Sequence, residues 1–217
     1  MFNRTFGIVL VVALAAGLGL LLAQRFFIDG PAPAWPRTRT VTLYPQPRAL
    51  PEAHLRQSDG SALMLPSALK GHWTLLFLGF TACPDVCPTT LATLARAQTQ
   101  WQTIPDSVRP RVLFVSVDPQ RDTPTRLGEY VHAFHKDTLA ATADVPELER
   151  FATSLGFVFQ KVPGTHFAQN PNDYSMDHSA AIAVLDPQGR QAGLIRPPFD
   201  AAAIAADLQA LTKTTTP

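Results

Sequence analysis

Cys83 and Cys87 are the two cysteines in a chain of 217 residues, and three residues separate them in Cys83-Pro84-Asp85-Val86-Cys87-Pro88. At that spacing in a turn, two sulfurs can close a disulfide or both reach one metal ion. The thiolate is the nucleophile and the ligand, and a helix starting just after the loop favours thiolate over thiol. Two inert, buried cysteines are the bland alternative. A proline-flanked loop at the end of an apolar strand argues against it. A closed structural zinc site needs four ligands, and no further cysteine exists to complete one. Completion by histidine or carboxylate suits an open, exchangeable site.

Six histidines compete as the third ligand. His54 lies near a proline-rich stretch and His72 precedes the first strand, where a surface position is expected. His132 and His135 fall on a helix with a solvated face, and His166 sits in a loop with no partner pattern. His178 differs, because Tyr174-Ser175-Met176-Asp177-His178-Ser179 reads as a polar loop entering a buried strand. Met176 could offer a soft thioether, although a methionine there is more often packing. The third constellation is Asp118-Pro119-Gln120-Arg121-Asp122-Thr123-Pro124. Asp122 and Thr123 read as caps of the following helix, with Arg121 paired to Asp122. Asp118 stays open as a residue that orients a ligand or tunes the thiols, and Asp177 beside His178 is a second such carboxylate.

Elements of two periods must position these groups. Trp73–Phe80 and Val112–Val117 are nearly uninterrupted apolar runs, as expected of strands covered on both faces. Thr89–Trp101 is predicted helical between them. Thr123-Pro124 opens a second helix to about His135, and Pro146–Leu155 forms a third. Ala180–Leu185 and Gly193–Ile195 flank the turn Asp186-Pro187-Gln188-Gly189 as a hairpin, and Ala201–Leu211 closes the chain as a helix. This order describes an α/β sandwich with a mixed sheet. The cysteine loop then lies beyond a strand's carboxyl end, where open α/β sheets place their reactive groups.

Composition limits the rest. Lys+Arg 18 against Asp+Glu 17, with 16% charged residues, excludes a basic nucleic-acid-binding protein. No charge interrupts the residues between Arg4 and Arg25. Residues 6–28 are therefore expected to be a transmembrane anchor rather than a cleaved signal peptide, whose apolar region is usually about 7–15 residues. Prolines 31, 33, 36, 45 and 47, with Pro51 just beyond, make residues 29–47 an expected semi-rigid linker. Residues 48–217 form the expected globular domain. Arginines on both sides of the apolar run leave its orientation undecided.

Together the Phe80-Thr81-Ala82-Cys83-Pro84-Asp85-Val86-Cys87-Pro88 segment, the run at 118–124 and the segment at 174–179 resemble the Sco/SenC family of copper proteins. Pro197-Pro198-Phe199 is similar too. The likeness spans roughly residues 50–211. One departure is Leu139–Pro146, where the family usually has a Gly-rich stretch. The resemblance implies a thioredoxin-like fold behind a single N-terminal transmembrane helix. It also implies a domain in the periplasm, or an equivalent extracytoplasmic space, of a bacterial-type inner membrane. It further implies that Cys83, Cys87 and His178 bind one copper ion, as Cu(I) or also as Cu(II), with Asp118 and Asp177 behind them. The implied function is a metallochaperone delivering copper to the copper-receiving subunit of cytochrome c oxidase. A copper donor protein and a thioredoxin-like reductant are its implied partners. The competing function is a thiol–disulfide oxidoreductase that keeps cysteines of the oxidase copper site or of other exported proteins reduced. Three intervening residues, instead of the two usual in such reductants, favour the chaperone, and a peroxidase fits less well.

Overall fold

The computed structural model describes the backbone of residues 4–27 and 35–215, and the side chains of 6–21 and 35–214. Its centre is the pair of apolar runs. β4 (Thr74–Gly79) and β5 (Arg111–Ser116) pair in parallel from Thr74 opposite Arg111 to Gly79 opposite Ser116. Every residue of β4 is buried, as a strand covered on both faces requires. β6 (Leu139–Thr142) continues the parallel set beside β5. β9 (Ile182–Leu185) and β10 (Gln191–Ile195) form the predicted hairpin and join β4 antiparallel. In its turn the Asp186 carboxylate accepts the N–H groups of Gln188 and Arg190, and Gly189 takes φ +79°.

Helix α2 (Val86–Gln100) follows β4 and packs with α5 (Ala201–Thr215). Helix α3 (Pro124–His132) starts as predicted, with Thr123 Oγ1 accepting the Arg126 N–H at 3.3 Å. It ends three residues earlier than expected. Helix α4 (Val145–Ser154) is capped the same way by Asp144.

The sheet is wider than the sequence pattern suggests. Its order is β1-β10-β9-β4-β5-β6-β2-β3, where β1 is Val41–Arg48, β2 Ala53–Gln57 and β3 Ala62–Leu65. A separate two-stranded sheet pairs β7 (Phe159–Pro163) with β8 (Tyr174–His178), antiparallel. His178 therefore ends a strand instead of sitting in a loop.

β1 corrects the expected linker. Residues 41–47 belong to an edge strand, where Pro45 and Pro47 need no donor for a neighbour. The register with β10 is irregular between Leu43 and Arg48, which accommodates them. The strand's entry is fastened by Asp207, whose carboxylate accepts the N–H groups of Arg39, Thr40 and Val41 and the Thr40 hydroxyl. Trp35 stands edge-on to Trp73 at 5.4 Å. The chain divides into units at residues 1–34 and 35–217, so the domain starts at Trp35 instead of residue 48.

In the first unit Arg4–Phe27 forms one helix, α1, and its described side chains, 6–21, are exposed. Among the described residues no helix is long and apolar enough to cross a membrane. Residue 28 and most of the linker's first half lie outside the described residues.

Candidate metal centre

Strand β4 ends at Gly79, and Phe80–Asp85 turns the chain into α2. Cys83 sits in this turn, half-buried, and Cys87 lies in the first turn of α2, fully buried. Both are free thiols. Asp85 occupies the N-cap position without capping through its side chain. Instead Cys83 Sγ accepts the Cys87 N–H at 3.3 Å, so a sulfur meets one of the orphan donors at the helix start. A helix N-terminus was expected to favour thiolates. For Cys87 burial wins: desolvation pushes its thiol well above the ordinary range, reinforced by its hydrogen bond with Cys83 and the nearby Asp122 charge.

The fit of the cysteine loop depends on Gly79. A Cβ there would lie 2.5 Å from Phe114 Cε2 and 3.0 Å from Cys87 Sγ. The missing side chain is what lets α2 bring its sulfur down onto the end of the strand.

β8 delivers the histidine. Tyr174 and Met176 are buried while Ser175 and Asp177 are exposed, a period of two that sends His178 to the inner face. His178 Nε2 stands 3.6 Å from Cys87 Sγ. Its Nδ1 lies 3.1 Å from the Ser179 carbonyl, which can only accept, so Nδ1 carries the proton and Nε2 offers a lone pair. Phe77 and Phe80 present their rings to the imidazole at 5.9 and 6.1 Å. Burial lowers the His178 pKa below its ordinary value, outweighing the Ser179 bond and the Asp177 charge, and holds the ring neutral.

Two thiols and a neutral imidazole form a soft donor set suited to Cu(I). Among the described residues, no group of three or more His, Cys, Asp or Glu is drawn together tightly enough to count as a metal cluster. Cys87 links the other two, its N–H on Cys83 Sγ and its own Sγ 3.6 Å from His178 Nε2.

The other histidines stand apart. His72 is buried, not surface-lying, and its Nδ1 meets the Arg109 carbonyl at 3.0 Å. His135 engages Gln102 and the Asp137 N–H, whereas His54, His132 and His166 are exposed.

The 118–124 run departs from its expected roles, apart from the Thr123 cap. Arg121 pairs with Asp118, Nε to Oδ2 at 2.5 Å, and not with Asp122. Asp122 caps nothing. It is buried and accepts the Thr81 N–H at 2.9 Å, the Thr81 hydroxyl at 2.5 Å and the Ser116 hydroxyl at 2.6 Å. Asp118 accepts the Tyr174 hydroxyl at 2.7 Å, which helps burial push that phenol up to about 12. Asp118 thus works on Tyr174 and Arg121, and Asp177 reaches His178 as a charge from the outer face. Sequence reasoning missed the roles of Asp122, Thr81 and Tyr174; their contacts join segments 41 and 56 residues apart.

Comparison with known proteins identifies the family and the fold. A candidate copper-binding protein of Stutzerimonas stutzeri is 34% identical over 192 residues, 88% of this chain and 86% of that one. The structure of Bradyrhizobium japonicum ScoI with copper bound matches with a TM-score of 0.66 and 33% identity, covering 75% of this chain and 99% of that one. Yeast Sco1 with copper bound matches with a TM-score of 0.69 and 25% identity, covering 79% and 92%. The fold is therefore the thioredoxin-like α/β fold of Sco proteins, with a mixed sheet. The SCO1/SenC family model matches residues 54–213, from β2 to the last turns of α5, and this chain belongs to that family.

Proposed function

We propose that this chain is a membrane-anchored copper metallochaperone of cytochrome c oxidase assembly. Cys83, Cys87 and His178 hold one copper ion and pass it to the oxidase's copper-receiving subunit. One observation carries the reading: an imidazole with its proton fixed on Nδ1 turns a bare Nε2 toward a buried thiol at 3.6 Å. Cu(I) favours thiolate and imidazole donors and accepts three of them, leaving room for an incoming ligand from another protein. The chain's own contribution is to desolvate the site with Phe77 and Phe80, to fix the tautomer, and to give up the thiol protons as metal enters. Half-buried Cys83 is the sulfur open to a partner.

The anchor forms part of the proposal. It is supported by the uncharged run between Arg4 and Arg25, by its helical backbone, and by exposed apolar side chains such as Leu14 and Leu20. The domain then lies in the periplasm or an equivalent space, served by a copper donor and a thioredoxin-like reductant.

The same dithiol supports the second reading, a thiol–disulfide reductase, because an accessible sulfur beside a buried one is also what exchange requires. Redox state and His178 separate the two. The reduced full chain should bind about one Cu(I), the capacity of one three-ligand site; the Cys83–Cys87 disulfide form should bind essentially none. Cells with His178→Ala should fail to load the oxidase at limiting copper. A fully copper-loaded oxidase in those cells would overturn the chaperone and leave the reductase.

A further inference from the structure

His178 is carried by a ribbon outside the main sheet. Within the described residues β8 pairs with β7 alone, and a lone two-stranded ribbon is marginal in water. Where His178 stands over the sulfurs therefore depends on what fastens the ribbon. At the His178 end the fasteners are the apolar rings of Phe77 and Phe80. At the Tyr174 end, beside the core packing of Tyr174 and Met176, they are polar and cationic and come mainly from one turn.

In that turn Arg121 lays its guanidinium 3.6 Å from the centre of the Tyr174 ring and donates Nη1 to the Tyr174 carbonyl at 2.9 Å. Asp118 holds Arg121 by its Nε and takes the Tyr174 hydroxyl. Lys161 of β7 approaches the same ring centre at 3.9 Å and reaches Gln120 with its Nζ. Two cations thus approach one ring centre, at 3.6 and 3.9 Å, and each attracts its π-face. One residue further on, Asp122 grips Thr81, two positions before Cys83.

We infer that the 118–122 turn is the bracket that sets the position of His178 relative to the two sulfurs. Asp122 holds the cysteine loop through Thr81, and Arg121, steadied by Asp118, holds the histidine strand through Tyr174. Arg121 and Tyr174 are positioning residues that act on the ligand through β8. The inference rests on the copper reading above for its metal readouts and on the metal-free chain for its remaining readout.

The test compares the full chain with Arg121→Met, Arg121→Lys and Tyr174→Phe. Three quantities are measured: amide exchange of residues 174–178 without metal, Cu(I) affinity by competition with a chromophoric chelator, and the sulfur and nitrogen neighbours of bound copper by X-ray absorption. Arg121→Met should speed exchange in β8, weaken Cu(I) binding roughly 10- to 100-fold, and lose the nitrogen neighbour while keeping both sulfurs. Tyr174→Phe should act in the same direction with smaller effect. Arg121→Lys should recover only part, since an ammonium cannot stack and fork at once. Folded variants with unchanged β8 exchange and an intact two-sulfur, one-nitrogen shell would overturn the bracket. Should Arg121→Met fail to fold, Tyr174→Phe decides by the same criteria. A wild-type chain that binds no copper would sink the copper reading, while amide exchange would still decide the bracket.

Discussion

Adding one methyl group at Gly79 tests how the thiol site is packed. In Gly79→Ala the new Cβ would lie 2.5 Å from Phe114 Cε2, 3.0 Å from Phe114 Cζ and 3.0 Å from Cys87 Sγ. Neither neighbour can yield easily. Phe114 is fully buried between Phe77 and Tyr130, at ring distances of 6.1 and 5.9 Å, and Cys87 is locked in α2. The backbone cannot retreat either, because Gly79 pairs opposite Ser116 and its carbonyl accepts the Val117 N–H at 2.9 Å. Overpacking of this kind costs about 1–3 kcal/mol. In a domain of this size that lowers Tm by roughly 3–10 °C. Displacing the Cys87 sulfur from its 3.6 Å approach to His178 should also weaken Cu(I) binding. Thermal unfolding of the single variant, of Phe114→Leu and of the double variant measures the clash directly. Shortening the ring should relieve it, with a favourable coupling of about 0.5–3 kcal/mol. A Gly79→Ala protein as stable as wild type, or a double variant whose costs simply add, would refute the packing argument.

Asp122→Ala removes the buried acceptor of three donors and should cost about 2–4 kcal/mol, whereas Asp122→Asn, which keeps one acceptor oxygen, should cost about half as much; chemical denaturation checks both. Asp207→Ala should raise amide exchange at residues 39–48 well above that of β4, because it unfastens the entry to β1. Stability of the metal-free chain should fall on both sides of neutrality. Below 6.5 the unfolded chain protonates while His178, together with His72 and His135, resists in the fold, so stability drops with acidification. Above 9.0 the unfolded Cys87 thiol ionises first, and stability drops as pH rises. His178→Ala should flatten the acid limb and leave the alkaline one; an unchanged acid limb would contradict the buried neutral imidazole.

What the sequence discloses follows the range of the forces involved. The apolar runs of β4 and β5, the Thr123-Pro124 helix start and the Asp186–Gly189 turn are local signals, and each stands where its residues place it. The alternating burial of Tyr174–His178 was equally local, but Ser175 and Asp177 are poor strand formers and disguised it as a loop. β1 was hidden by prolines that an edge tolerates, and β6 by being only four residues long. The roles of Arg121 and Asp122 were beyond local reading. Their partners, Tyr174 and Thr81, are 53 and 41 residues away, and capping was the nearest satisfying use for an aspartate before Thr-Pro.

The fastening of β1 has a mechanical side. Tension arriving from the N-terminal direction enters the domain at Trp35 and meets Asp207's fan of hydrogen bonds before it meets the β1–β10 ladder. That carboxylate belongs to α5, far along the chain from the cysteine loop. Two strands, β10 and β9, stand between the pulled edge and β4. A tug on the N-terminal segment thus loads an edge strand, and the strand that leads into the cysteine loop lies further in.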